Sequence, residues 1–219
     1  MSEPLAGTVD ERGIPTKSDY PPKPPVPVLY VGFAVVGFAI GFGIAFAVYV
    51  FGAQAKYDRQ IDALAAGGLG WIYLSVVAIK VVALCININL GLSRKAAKVN
   101  VPDQQVYKVY VPESQSQLGY VMMETEGVLG TFNRAQRAYQ NFLEQLPIFL
   151  VVMLLAGYAF AFPAFICALI YGSFRVIAAV GYTKRPKGRM AGNILGMISQ
   201  EVLQGFLLIA GIKAILREV

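Results

Sequence analysis

Residues 134–147, RAQRAYQNFLEQLP, place charged and amide side chains directly before a long uncharged segment. Arg134, Arg137, Asn141 and Glu144 follow one another at intervals of three, four and three positions, so they lie on one side of a helix. Ionisable groups inside a membrane helix are energetically costly, and they usually face a cavity or a neighbouring helix. The spacing therefore predicts a polar site at one end of a membrane-spanning helix.

The same side of this helix carries Pro147, whose ring and missing N–H predict a bend in the axis. A purely structural interpretation is also open, in which Arg137 and Glu144 form an ion pair across two turns. The position of Asn141 between them favours a binding site. So does the basic loop at residues 184–189, which is expected near the same end of the helix.

The composition indicates an integral membrane protein. Hydrophobic residues make up 56% of the chain and charged residues 15%, far from the composition of a soluble domain. Residues 24–55 and 145–174 contain no charge, and each run exceeds the ~20 residues that cross a bilayer. Because backbone groups in lipid must be hydrogen-bonded internally, the spans are predicted to be helices. We predict spans at residues 28–51, 70–92, 132–158, 163–182 and 191–216.

Basic residues gather in two loops, one after the second span and one after the fourth. The two loops contribute Arg94, Lys95, Lys98, Lys184, Arg185, Lys187 and Arg189. With five crossings, both loops and the N-terminal tail share one side of the membrane, which we call the basic face. The loop-charge bias predicts that this face is cytoplasmic, and it accounts for the net charge of +6 without a nucleic-acid partner.

The absence of histidine excludes histidine-based acid–base chemistry and most zinc sites. No metal site is predicted. Cys85 and Cys167 both lie in apolar segments, which indicates buried thiols rather than a disulfide framework. The proline-rich residues 1–27 lack a signal-peptide pattern and predict an extended tail that needs a docking surface to be ordered.

The second span carries its own polar stripe, because Lys80, Asn87 and Arg94 are seven positions apart. A lysine in the middle of a membrane needs a partner or water. Glu144 and Glu201 are the hypothesised counter-ions of Lys80.

The segment RAYQNFLEQLP also resembles the Arg-x-x-x-Asn-x-x-Glu-x-x-Pro signature of the MAPEG family, membrane proteins of eicosanoid and glutathione metabolism. The segments FNRAQRAYQN, GYTKRPKGR and NLGLSRKAAKV look most like the type-3 microsomal glutathione S-transferases. The resemblance covers residues 70–219. It implies a MAPEG-like four-helix bundle, preceded here by the tail at residues 1–27 and by an additional transmembrane helix and loop at residues 28–69. The fold class is therefore an all-α integral membrane protein with five spans.

The family assembles as a trimer and binds glutathione between neighbouring subunits near the cytosolic face, so the resemblance implies glutathione as a co-substrate. On that template the positions that hold the tripeptide are Arg94, Lys95, Arg137, Asn141, Glu144 and Tyr182. Arg189 matches the arginine that stabilises the thiolate, and Arg185 or Lys187 takes its place if the loop shifts. The chain departs from the family at Ala178, where a second tyrosine is common, and Tyr139 is a candidate to compensate.

Three functional hypotheses follow. The first is a glutathione-dependent transferase or peroxidase that acts on lipophilic electrophiles or lipid hydroperoxides. The second is a non-catalytic MAPEG-like subunit of a larger membrane complex, which the extra helix, the tail and Ala178 favour. The third, a transporter that uses Lys80 and Glu201, is weaker because no inverted repeat is visible. Family analogy favours the endoplasmic reticulum, and a mitochondrial or plastid membrane stays open.

Overall fold

The computed structural model describes Asp10, residues 14–110 and residues 120–218. Its helices are α1 (Val26–Phe51), α2 (Gln54–Ala66), α3 (Gly70–Ala97), α4 (Gly127–Ala159), α5 (Ala161–Lys184) and α6 (Met190–Glu218). A 3-10 turn at Pro186–Arg189 joins α5 to α6. Two short strands, β1 (Tyr107–Tyr110) and β2 (Tyr120–Met123), pair antiparallel between α3 and α4.

The all-α membrane architecture is confirmed, because five helices in the described part are long and apolar enough to cross a bilayer. The helices α1, α3, α4, α5 and α6 correspond to the five predicted spans in order. All five extend beyond the predicted limits on the basic face, and the extension is largest for α3 and α4, whose polar terminal turns are still helical. Pro147 lies inside α4, which continues through it.

The core of the bundle lies where α3, α4, α5 and α6 meet. Its fully buried side chains are mostly aliphatic and aromatic, and they include Ile86, Phe142, Phe149 and Leu203. The rings of Phe149 and Tyr171 stack with their centroids 3.9 Å apart. These contacts hold the four helices as one unit and fix the relative positions of their ends on the basic face.

Helix α1 lies outside this bundle and meets α3 near its own first turns. Val26 is buried there, and a methyl group on Gly91 of α3 would stand 3.0 Å from both Val26 and Tyr30. The absence of a side chain at Gly91 therefore lets α1 lie close to α3. Further along α1, nothing lies within 4 Å of a methyl group placed on Gly37 or Gly41, so no other helix of the described chain packs against either glycine.

The described part of the N-terminal tail is docked onto the loop that follows α3. The side-chain amide of Asn100 donates to the carbonyl of Lys17 and accepts from the N–H of Asp19, at 3.1 and 2.8 Å. Lys95 donates to the carbonyl of Pro21 at 2.7 Å. The hydroxyl groups of Tyr20 and Tyr30 are 2.8 Å apart, and burial of Tyr20 raises its pKa. These polar contacts hold residues 17–21 of the tail against the loop after α3.

One helix and one two-stranded sheet were not predicted. Helix α2 occupies part of the segment expected as a loop, and the strands β1 and β2 lie between the second and third predicted spans. The predicted ion pair of Lys80 with Glu144 or Glu201 is not present among the described residues. Lys80 is exposed on the outer surface of α3, Glu144 pairs with Arg137, and Glu201 accepts from Gln204.

The carboxylate of Glu124 joins the hairpin to the start of α4. It accepts the backbone N–H groups of Glu126 and Thr125 at 3.0 and 2.8 Å, and Lys108 of β1 lies 3.4 Å away. The hydrogen bond from Glu126, with those from Thr125 and Lys108, lowers the pKa of Glu124 below its ordinary 4.5. A carboxyl whose pKa is depressed by folding stabilises the fold above its unfolded pKa, and this contribution is lost as the pH falls through the folded pKa.

We expect Glu124→Gln to weaken the hairpin at neutral pH and to make little difference in acid. The measurement is amide hydrogen exchange at Thr125 and Glu126, in wild-type and variant protein at matched pH values between 7 and 3. The two proteins should differ at pH 7 and converge below pH 4. An equal difference at every pH would show that the charge of Glu124 is not what holds this junction.

Candidate functional site

A polar cavity of about 70 Å³ opens among α4, α5 and α6 at the basic face. Helix α4 contributes Arg137, Ala138 and Asn141. Helix α5 contributes Arg175, Ala178, Ala179 and Tyr182, and the start of α6 with the preceding turn contributes Arg189 and Asn193. Three guanidinium groups thus converge on one small space, and no carboxylate lines it among the described residues. Such a lining suits an anionic group.

Four of the seven predicted site residues meet at this cavity: Arg137, Asn141, Tyr182 and Arg189. The helical spacing on α4 brings the first two together, and the bundle places them against the end of α5. Glu144 lies next to the cavity through an ion pair with Arg137, whose Nη1 is 3.1 Å from its Oε1. This ion pair is the one expected under the purely structural interpretation of the polar stripe. Glu144 therefore lies beside the cavity and is not part of its lining.

Arg189 reaches the cavity through a close approach of two backbone segments. A methyl group on Gly181 of α5 would lie 2.3 Å from the carbonyl oxygen of Gly188, and one on Gly188 would lie 2.1 Å from that of Gly181. The chain can therefore fold back tightly only with glycine at both positions. The guanidinium of Arg189 then stands over the ring of Tyr182, 4.8 Å from its centroid, in a cation–π contact.

Ala178 lies at the contact between α5 and α6. It is buried, and a methyl group on Gly192 would meet its backbone nitrogen at 2.6 Å and its side chain at 2.8 Å. Small residues at both positions bring α6 close to α5, so α6 occupies space beside the position of the family tyrosine. Tyr139, the predicted compensating residue, packs against the hydrophobic core and is not among the residues that line the cavity.

Arg94 and Lys95 lie elsewhere in the described chain. Arg94 is buried, and its guanidinium donates to the carbonyls of Val99, Asn100 and Asp103 at 3.1, 3.2 and 2.6 Å. It therefore closes the loop after α3, while Lys95 binds the tail as described above. Neither residue lines the cavity formed by one chain, and their role as ligands of a tripeptide stays a prediction.

Arg134, the first residue of the predicted stripe, connects α4 to the end of α5 instead of facing the cavity. Its Nε donates to the carbonyl of Thr183 at 3.2 Å and its Nη1 to the carbonyl of Thr125 at 2.7 Å. The side chain of Thr183 also accepts from Asn89 of α3 at 2.8 Å. These bonds fix the end of α5 relative to α3 and α4, and with it the positions of Tyr182 and of the turn that carries Arg189.

Sequence reasoning missed Arg175 and Asn193. Arg175 is isolated in the apolar part of α5, because residues 145–183 contain no other charged residue. That isolation within an apolar span is a signal of function, and it was available in the sequence. Asn193 carries no comparable signal, since a single amide near a helix start is common.

A family model agrees with this geometry. The model of the MAPEG family matches residues 71–209, a range that covers α4, α5, nearly all of α3 and most of α6, and includes every residue that lines the cavity. The chain belongs to the MAPEG family. Among curated proteins, none matches the chain.

The match begins at the start of α3 and excludes α1 and the tail. Within the MAPEG domain, the signature residues Arg137 and Asn141 lie in the cavity and Glu144 adjoins it. The MAPEG family includes glutathione transferases, glutathione peroxidases and other members, so membership alone leaves the reaction to be argued from the site.

Proposed function

We propose that this MAPEG protein is a membrane-bound glutathione-dependent transferase or peroxidase for lipophilic electrophiles or lipid hydroperoxides. The observation that carries the proposal is the convergence of Arg137, Asn141, Tyr182 and Arg189 on one cavity at the basic face. Glutathione has two carboxylates, an ammonium group, two peptide groups and a thiol. Arginine binds carboxylates through paired hydrogen bonds, and Glu144 is the carboxylate nearby that suits the ammonium group.

The size of the cavity supports an assembly in which neighbouring subunits complete the site. About 70 Å³ is well below the roughly 300–1,000 Å³ of typical ligand pockets. A homotrimer, as the family resemblance implies, supplies a second wall, and the basic pair Arg94 and Lys95 is proposed to contribute at that interface. The exposed Lys80 on α3 points to the same conclusion, since a lysine facing lipid at mid-span is costly and a neighbouring subunit would cover it.

Arg189 is the residue proposed to act on the reacting atom. A free thiol has a pKa of about 8.5, so only a few per cent is ionised at pH 7. A guanidinium against the sulfur at a low-dielectric position favours the thiolate and lowers that pKa. The thiolate attacks an electrophilic carbon of the lipid, and the C–S bond forms as a C–O bond of an epoxide opens or the π electrons of an activated double bond shift; the anion that results then takes up a proton. With a hydroperoxide, the thiolate attacks the terminal oxygen and breaks the O–O bond, which with one proton gives the alcohol and glutathione sulfenic acid. A second glutathione then attacks the sulfenic sulfur, forms the disulfide and releases water.

Calorimetry of glutathione binding to the detergent-solubilised protein tests this proposal. We expect Arg137→Ala and Asn141→Ala each to weaken binding at least tenfold, because each removes a polar contact to the tripeptide, worth about 1.5–3 kcal/mol for a charged partner. Arg217→Ala, a loss of the same residue type at the far end of α6, is the matched control and should bind as wild type does.

Absence of binding heat from wild-type protein at millimolar glutathione would contradict the proposal. The second candidate, a non-catalytic subunit of a larger complex, is favoured by the exposed α1 and by Ala178 beside Gly192. Gentle solubilisation separates the two: the enzyme is expected as a homotrimer, and the subunit as one copy among other proteins. The resemblance to type-3 microsomal enzymes and a location in the endoplasmic reticulum stay parts of this proposal.

A further inference from the structure

Arg175 of α5 binds two amides of the site. Its Nη2 lies 2.8 Å from Oδ1 of Asn141 on α4, and its Nη1 lies 3.5 Å from Oδ1 of Asn193 on α6. Its guanidinium also stands 5.9 Å from the ring centroid of Tyr171. One arginine therefore connects the three helices that form the cavity.

The hydrogen-bonding groups of arginine determine the orientation of these two side-chain amides. A guanidinium has five N–H donors and no acceptor, so only the oxygen of an asparagine can face it. The oxygen and nitrogen of an amide are easily interchanged in a structure, but here the partner permits one orientation. Asn141 therefore directs its NH₂ group away from Arg175, and among the described residues no acceptor contacts that group.

The cavity lining consequently offers donors. Arg137 and Arg189 contribute guanidinium N–H groups, and Asn141 contributes its amide N–H groups. A side-chain amide can both donate to and accept from a peptide group, but Arg175 already occupies the oxygen of Asn141. A ligand group placed here must supply acceptors, such as a carboxylate or a peptide carbonyl.

We propose that Arg175 is a positioning residue that holds Asn141 with its amide N–H groups directed at an acceptor of the bound tripeptide. The inference rests on the proposed function, because it takes glutathione as the ligand. Arg175 lines the cavity, but two of its N–H groups are taken up by Asn141 and Asn193. In this proposal it acts through Asn141, so its effect on binding depends on Asn141 being present.

A double-mutant cycle measured by calorimetry tests this dependence. The proteins are wild type, Asn141→Ala, Arg175→Met and the double variant, each titrated with glutathione. We expect each single variant to bind about tenfold more weakly, as for the loss of one hydrogen bond. The double variant should bind no more weakly than Asn141→Ala alone. A roughly hundredfold loss in the double variant would show independent contributions and overturn the inference.

Asn141→Asp gives a second test that does not depend on how well Arg175→Met folds. Aspartate keeps the acceptor that Arg175 binds and strengthens that contact, but it has no N–H to offer the ligand. We expect higher thermal stability together with at least tenfold weaker glutathione binding. Wild-type affinity in Asn141→Asp would overturn the inference, because the amide N–H groups would then be dispensable.

Two further variants separate position from charge. Arg175→Lys retains the positive charge and a donor for one of the two amides, so it should bind glutathione more tightly than Arg175→Met but more weakly than wild type. Lys184→Met removes one positive charge from an exposed position on the same helix and should leave binding unchanged. If Lys184→Met weakened binding as much as Arg175→Met, net charge would explain both results. If wild-type protein failed to bind glutathione, the proposed function would fail as well, whereas wild-type binding with an additive cycle would contradict only the role of Arg175.

Discussion

Replacing Arg189 with methionine is expected to raise the pH at which the glutathione reaction reaches half of its maximal rate by about two pH units. The guanidinium favours the ionised sulfur, so its removal returns the thiol pKa from about 6.5 toward about 8.5. At pH 7 the ionised fraction falls from about three quarters to a few per cent. The rate with a lipophilic electrophile should therefore fall about 25-fold at pH 7 and by far less at pH 9.

The measurement is a pH–rate profile between pH 5.5 and 9.5, with glutathione saturating at each pH. Saturation separates the ionisation of the bound thiol from any change in affinity. Lys187→Met is the matched control, because this exposed cation lies two positions away in the same 3-10 turn and does not line the cavity. A profile of Arg189→Met that is lower than wild type by the same factor at every pH would rule out a role in thiolate formation.

The second large effect is expected from Gly181→Val. A side chain at Gly181 would collide with the carbonyl of Gly188 at 2.3 Å, and a backbone atom can move away only if the turn itself moves. Overpacking of this kind costs about 1–3 kcal/mol of folding free energy. The displaced turn also carries Arg189 away from Tyr182, so we expect at least a tenfold loss of glutathione affinity in addition to a lower thermal midpoint.

Gly211→Ala in α6 is the control for this substitution, because nothing lies within 4 Å of its added methyl group. Alanine has a higher helix propensity than glycine, so this variant should be as stable as wild type or slightly more stable. Wild-type stability and affinity in Gly181→Val would show that the turn adjusts freely. The contact between the two glycines would then not position Arg189.

Much of this architecture was predictable, because the bilayer imposes its rules on local sequence. A helix that crosses lipid must be apolar along its whole length, so the spans of α1, α3, α4, α5 and α6 could be recognised without knowing any contact between them. The hairpin of β1 and β2 and helix α2 escaped prediction because they lie outside the hydrocarbon region, where apolar length carries no such constraint.

Within the site, local spacing was informative on one helix at a time. The stripe of α4 could be predicted because Arg137, Asn141 and Glu144 repeat at helical intervals, and the Arg137–Glu144 pair followed from the same spacing. The spacing could not show that Arg134 differs from Arg137. Arg134 binds the carbonyls of Thr125 and Thr183, whereas Arg137 lines the cavity. Both arginines share a helix side, and only the neighbouring end of α5 determines which of them faces the cavity.

The sequence by itself determined the membrane class, the order of the spans, the polar stripe and the MAPEG resemblance, because each depends on residues close together in the chain. Tertiary structure alone decided that Arg175 turns the amide of Asn141, that paired glycines bring Arg189 over Tyr182, and that Arg94 closes a loop. These outcomes depend on distances between helices, which arise from packing of the whole bundle. No periodicity within a single segment encodes them.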